Sequence, residues 1–484
     1  MDIQQTISQL RQFRNELYAA LPYAPDATFE LIDALASNLS AQSPVALSLN
    51  PLFHRHYSCV SKVIANLFHS SHPLKAEAER QVLTQTLLRL AARYLPAPQQ
   101  RQFWLFGLDV TPIPRPYART LAGRCIVYSP NPVAGNMPVT IGHDCSTLAF
   151  LPERESPDTP PWAVPLSMRR VRLTRKATEV GVKQIKALLE DETLPWHDQL
   201  CMLVADTSYS SLTFLGPLAC LPNLVLVTRV AANRVFYRQP VVNPDDKVPV
   251  GHPTWYGDPF ELQDPTTWGE PDVVAEKQWT NRRGRTYRVV LEGWTNLLRT
   301  GTRDYPMHQR PFTLIRCRVL DEQGRQVYKR SLWLTAIGKR RNELTLVAAW
   351  DAYVQRFDVE HFFRFGKQRL LFTAYQTPDV EHEVNWWQFV SLAYMNLFLA
   401  RELATALPYP WERYLPQPTS QIASPTMVQR DFTRIIRQIG TPAELPKRRG
   451  NSSGRAKGTR WRQRMRHPVI KRGRQGPKRA SATA

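Results

Sequence analysis

Tyr353, Arg356, Glu360 and Lys367 follow the spacing Y-x2-R-x3-E-x6-K within D-A-Y-V-Q-R-F-D-V-E-H-F-F-R-F-G-K. On an α-helix, at about 100° per residue, these positions fall within an arc of about 60°. One stripe then carries a phenol, a guanidinium, a carboxylate and an ammonium. Val354, His361, Phe362 and Phe365 lie on another side and can anchor the helix in a core. A carboxylate flanked by cations suits a metal ion beside a phosphate backbone. Two further acids close apolar runs: Asp109 ends Phe103-Trp-Leu-Phe-Gly-Leu-Asp109, and Asp206 ends Gln199-Leu-Cys-Met-Leu-Val-Ala-Asp206. Three carboxylates meeting at a sheet rim would hold two hard divalent cations through oxygen. Two ions about 4 Å apart can activate an attacking oxygen and stabilise the leaving one in a displacement at phosphorus.

The elements that must position these residues have their own signals. Residues 1–98 read as a helical N-terminal domain, with apolar residues at three- and four-residue spacing in Ile3–Ala20, Thr28–Ser37, Asn50–Phe68 and Leu74–Tyr94, punctuated by Pro22, Pro25, Pro44 and Pro73. From Phe103 the character changes. Strands are expected at 103–109, Cys125–Tyr128, Met137–Leu151, Gln199–Asp206 and Leu224–Val230, with helices at Ala177–Leu189 and Ser211–Leu221. Three strands followed by alternating helix and strand describe an α/β fold: a mixed sheet with helices on both faces. An acid at the carboxyl end of a central strand in such a sheet stands where ligands bind.

Residues 232–330 break the rhythm and read as a β-rich insertion. The core, begun at 99–231, resumes at 331–410 with Leu332–Ile337 and a long helix from Glu343 to Phe372, for which Asn342 is the expected N-cap. Val380–Ala406 is a second apolar helix, 411–446 a C-terminal helical segment, and 447–484 a basic tail.

The 484-residue chain carries a net charge of +22. The tail from Lys447 to Ala484 supplies 14 Lys or Arg and no acid, leaving +8 for the rest (22 − 14). Its Gly, Ser and Pro predict disorder in the free protein. Such a balance points to a polyanionic partner, nucleic acid or an acidic membrane surface. No run of 18 apolar residues and no basic-then-apolar leader occurs, which argues against a membrane span or a signal peptide. The six cysteines are scattered without a C-x2-C pair, so a zinc ribbon is not expected and buried free thiols in a cytoplasmic chain are.

The pattern of acids, insertion and four-residue spacing resembles a bacterial insertion-sequence transposase of the DDE class, on an RNase H-like fold, from the branch with a Tyr-Arg-Glu-Lys signature. The resemblance covers about 103–400. It rests on G-L-D-V-T, V-A-D-T-S, the β-rich insertion before the last acid, and the spacing from Tyr353 to Lys367. It implies Asp109, Asp206 and Glu360 as catalytic ligands for Mg²⁺, with Mn²⁺ able to substitute, and Tyr353, Arg356 and Lys367 as contacts to DNA phosphates. It also implies double-stranded DNA as partner, both transposon ends and target, DNA contacts from the N-terminal domain and insertion, a homodimer pairing two ends, and a nucleoid-associated location. The chain departs in one place: members often carry Gly soon after the second Asp, whereas Asp206 is followed by Thr207-Ser208-Tyr209.

Two other classes fit the same residues, a transposase-derived DNA-binding protein without catalysis and an RNase H-like nuclease that cuts without joining. Asp351 and Asp358, near the stripe at other angles, read as solvated or salt-bridged acids. His143 reads as structural or peripheral, since no serine partner makes a triad with it. Trp255, Trp268, Trp279 and Trp294 read first as core, and secondarily as platforms for an unpaired base. Arg282–Arg285 reads as a basic loop that meets DNA or is simply solvated, and Trp461, within Arg460-Trp-Arg462, as a residue that stacks on a base or as part of a solvated tail.

Overall fold

A computed structural model describes residues 3–68, 76–129, 137–156, 158–241, 255–281, 284–406, 422–447, 458 and 463–470. Trp461, Arg282, Arg283 and most of the basic tail lie outside the described residues. Four helices lead: α1 (Ile3–Ala20), α2 (Pro25–Ala36), α3 (Ser58–Asn66) and α4 (Ala76–Arg93). Leu10, Phe13 and Leu17 make the buried stripe of α1. Between them Arg14, itself buried, forks both oxygens of Asp33 at 2.7 and 2.8 Å.

The sheet begins with β1 (Trp104–Pro114), β2 (Cys125–Tyr128), β3 (Val139–Phe150) and β4 (Val164–Val171), then α5 (Ala177–Leu189), β5 (Cys201–Ala205), α6 (Leu212–Leu218) and β6 (Leu224–Val230). Strands β1, β5 and β6 are parallel and central, and β5 is buried along its whole length, as its apolar run predicts. Antiparallel β3 pairs with β1, while β2 and β4 lie end to end on its outer side. Strand β4 has no counterpart in the sequence expectation. Its short Leu-Ser-Met-Arg alternation is broken by a second arginine, and its pairing with β3 holds it in the sheet.

A small hairpin, β7 (Val235–Tyr237) with β8 (Pro259–Glu261), precedes β9 (Val273–Thr280), β10 (Thr286–Leu297), β11 (Phe312–Leu320) and β12 (Leu332–Ile337). Strand β12 returns to the core beside β6, and β11, β10 and β9 follow it outward. The strands of the insertion thus extend the core sheet. The helices α7 (Leu346–Gln355), α8 (Phe357–Arg369), α9 (Val380–Leu399), α10 (Leu403–Ala406) and α11 (Pro425–Ile439) complete the chain. Helix α8 covers β1, α7 covers β5 and β6, and α5 covers β3 and β4 from the opposite side. The result is the mixed sheet with helices on both faces that the sequence predicts, in an RNase H-like arrangement. Helix α9 is buried nearly all round, because α1, α2 and α3 pack on it too. Among the described residues no helix is long and apolar enough to cross a membrane.

Two expectations are corrected. The helix expected from Glu343 to Phe372 starts later and is broken. Thr345 caps it, its hydroxyl accepting the Ala348 N–H at 3.1 Å, and Asn342 sits in the preceding 3₁₀ turn. At Arg356 the ladder slips: the Val359 amide bonds the Arg356 carbonyl, three residues back rather than four. The second correction is that Asp109 does not end its strand. Pairing of β1 with β5 stops at Leu108↔Ala205, but pairing with β3 runs on to Pro114↔Gly142. Even-numbered amides of β1 face β5, as the Trp104 amide bonding the Leu200 carbonyl shows. Beyond Ala205 no described strand pairs with that side, so Pro112 and Pro114 fall where no ladder donor is required.

Candidate active site

Asp109 sits at the height where the parallel sheet ends. The β1–β5 register places it beside Asp206, the first residue after β5. Side chains alternate along a strand, so Asp109 shares a face with Gly107, and Leu108 takes the other. A Cβ on Gly107 would lie 2.7 Å from the Val359 Cγ2 of α8, so the missing side chain lets α8 lie directly on β1. That close approach brings Arg356 and Glu360 to Asp109.

Arg356 is the hub. Its Nη1 lies 3.2 Å from Asp109 Oδ2 and its Nη2 3.6 Å from Glu360 Oε1. The guanidinium is buried, Asp109 mostly so, and Glu360 half exposed. Asp206 caps the turn Thr207–Ser210, its Oδ1 accepting the Ser208 N–H at 2.9 Å and hydroxyl at 2.6 Å. Burial pushes the Asp109 carboxyl up to about 6; Arg356 opposes the rise, and the charges of Asp206 and Glu360 add to it. Asp109 therefore feels an acid from the neighbouring strand end and another from the helix above it.

Tyr353 is buried one turn before Arg356, with that guanidinium 5.7 Å from its ring. Burial raises its phenol pKa, against the pull of Arg356 and Arg229. Lys367 is half-buried, and burial draws its ammonium below the usual range while the nearby Cys145 thiol opposes this. The stripe therefore spreads over the sheet: Arg356 and Glu360 face Asp109, and Lys367 lies farther along toward β3.

Oxygen donors alone, one of them a buried carboxylate with a raised pKa, fit a hard divalent cation. Asp109, Asp206 and Glu360 would hold it. Among the described residues no three of His, Cys, Asp and Glu already stand close enough together to form such a group. Arg356 supplies positive charge between two of the acids.

Two residues beyond the sequence expectation belong here. Register carries Asp206 onto Arg229 at the end of β6, completing a row Asp109, Asp206, Arg229 across three strands. Arg229 is exposed and, with Tyr353 and Arg356, lines a groove of about 1360 Å³ bounded on its far side by Trp279 and Tyr328. Tyr209 is buried on the α5 side, and burial with the charges of Asp109 and Asp206 pushes its phenol up. In sequence Arg229 is only a cation near the end of an apolar run, and the acid beside it is supplied by strand pairing.

The structural readings of the remaining residues hold, except that Trp255 is exposed rather than core. Asp358 is buried and paired with Arg154, and Asp351 is paired with Lys277 at 2.7 Å. Trp294 is core, while Trp255 stacks on His308. His143 is buried between Glu383 and Arg170. Its Nδ1 faces the Glu383 carboxylate, and its Nε2 lies 2.7 Å from an Arg170 Nη2 and 3.2 Å from the Ala122 carbonyl. Arg115 also grips Glu383, at 2.7 Å, and the array ties α9 to the strands.

The chain matches the family model described as DDE superfamily endonuclease over residues 16–289, more than half its length. The match takes in Asp109 and Asp206 and ends before the segment from Tyr353 to Lys367. No curated protein matches the chain.

Proposed function

This chain belongs to the DDE superfamily endonucleases, and on that premise we propose that it is a DNA transposase of the Tyr-Arg-Glu-Lys branch. It binds the terminal inverted repeats of an insertion sequence, cleaves them by metal-assisted hydrolysis and joins the freed 3′ ends to target DNA. The observation that carries this reading is the Arg356 bridge between Asp109 and Glu360, with Asp206 on the neighbouring strand.

A divalent ion bound by Asp109, Asp206 and Glu360, Mg²⁺ or Mn²⁺, would polarise the scissile phosphate and make an attacking oxygen more nucleophilic. Arg356, which holds Asp109 and Glu360 in the free protein, would turn its fork to non-bridging phosphate oxygens of the bound strand. Tyr353 donates a hydrogen bond from its phenol to a neighbouring phosphate oxygen. Lys367 contributes a point charge to the strand farther along β3, and its depressed pKa is restored once a phosphate lies against it. Arg229 and the groove beside it receive the DNA next to the cut. Two copies of the chain pair the two ends.

The test supplies the purified protein with its own terminal repeats and Mg²⁺ or Mn²⁺. Cleavage and joined products are expected from the wild type, and neither from Asp109→Ala or Glu360→Gln. Full cleavage by either variant would overturn the assignment. Cleavage by the wild type without joined product would favour a nuclease.

A further inference from the structure

We propose that the arm built from β2, the outer halves of β1 and β3, and the loop after β4 is a second surface for duplex DNA, which segment 463–470 enlarges. The proposal rests on the reading of the chain as a DNA enzyme. The arm stands on the carboxylate side of the sheet, because β1 and β3 continue past the last β1–β5 pair. From Thr147, opposite Asp109, to Val139, opposite Tyr128, β3 runs eight residues. At ~3.3 Å per residue that is a reach of about 26 Å, more than twice the ~12 Å width of a major groove. A duplex held at the carboxylates would therefore have the arm along its flank.

Charge on the arm has one sign. Arg119, Arg172, Arg175 and Lys176 are exposed, and the only acid among the described residues of 110–150 and 164–176 is the half-buried Asp144. The segment at 463–470 adds exposed Arg464 and Arg466. It is held by main-chain bonds, the Ile470 amide to the Arg124 carbonyl at 3.1 Å and the His467 amide to the Arg119 carbonyl at 3.3 Å, with a parallel bridge from Ile470 to Cys125 at the open edge of β2. Sequence-independent main-chain docking of a basic segment beside other exposed cations makes a phosphate-binding face. Exposed Tyr117 and Tyr128 add hydroxyls suited to phosphate or sugar.

The test is duplex binding in EDTA, where cleavage plays no part, using a random-sequence duplex at several salt concentrations. The full-length triple variant Arg119→Ala, Arg172→Ala, Arg175→Ala should flatten the slope of log K against log salt by about 2.7, from about 0.9 per lost phosphate contact, with affinity at least about ten-fold weaker near 0.1 M salt. Arg464→Ala with Arg466→Ala should flatten it by about 1.8. Unfolding midpoints should not move, since every side chain changed is exposed. An unchanged slope and affinity in the triple variant, with wild type binding well, overturns the arm and leaves the proposed function standing. A wild type that binds no duplex overturns both.

Discussion

Replacing Asp109 by Asn should abolish cleavage and yet make the metal-free protein more stable above about pH 6. In the folded chain burial lifts the Asp109 carboxyl to about 6 from 3.8. The folded state thus binds that proton more tightly than the unfolded chain does. Stability falls as pH rises from the unfolded value through about 6, and above it the ionised carboxyl costs its full amount. The gap between 3.8 and about 6 corresponds to about 3 kcal/mol. The Asp109 side chain is 18% exposed, and solvent screening with relaxation brings this to about 1–2 kcal/mol. Asparagine keeps the shape, still accepts a hydrogen bond from Arg356 and never ionises. The assay is urea unfolding in EDTA, with the variant expected to exceed wild type by about 1–2 kcal/mol near pH 8, the gap narrowing to about a third of that near pH 4.5 and closing below the unfolded value of 3.8, where Asp109 is protonated in both states. Mn²⁺ should raise the wild-type midpoint near pH 8 and leave the variant's almost unmoved. A variant less stable than wild type by the same amount at both pH values refutes the reasoning, because Asp109 would then be an ordinary satisfied ion pair.

Arg356→Ala removes the cation between two acids and should destabilise the metal-free protein by about 2–3 kcal/mol, less than the loss for a fully buried pair because Glu360 is half exposed. Mn²⁺ should recover part of that loss in unfolding experiments, and no recovery would count against Arg356 holding a place for positive charge. Gly107→Ala places a methyl 2.7 Å from Val359 Cγ2 and should cost about 1–3 kcal/mol while lowering the cleavage rate, as α8 moves off β1 with Glu360. The double variant with Val359→Ala should regain most of both; a Gly107→Ala protein with wild-type cleavage would show that the close approach does not set the site.

What the sequence could and could not show follows from the range of each interaction. The stripe from Tyr353 to Lys367 was legible because helical periodicity is local, and the run through β5 was legible because a strand buried on both faces needs no partner to identify it. The end of β1 was not, since it depends on β5 stopping at Ala205 while β3 continues. The break at Arg356 was hidden for a related reason: nothing in Val-Gln-Arg-Phe-Asp disfavours helix. Nor could the insertion be assigned to the core sheet, because sheet order is decided by which edges meet.

The deepest gap concerns Arg356. Spacing marked it as a cation for phosphate, whereas in the fold it neutralises Asp109, a residue 247 positions away. Both roles follow from one constraint. Asp109 lies buried at the rim with Asp206 and Glu360 adding to its cost of ionisation, and a site built that way needs a positive charge at its centre. A guanidinium on a helix packed against β1 through Gly107 meets that need while the protein is free. On the proposed function, an ion held by the three acids would supply that charge instead and leave the Arg356 fork available to a phosphate. Residue type and spacing therefore fixed what Arg356 can bind, and the fold fixes which anion it binds first.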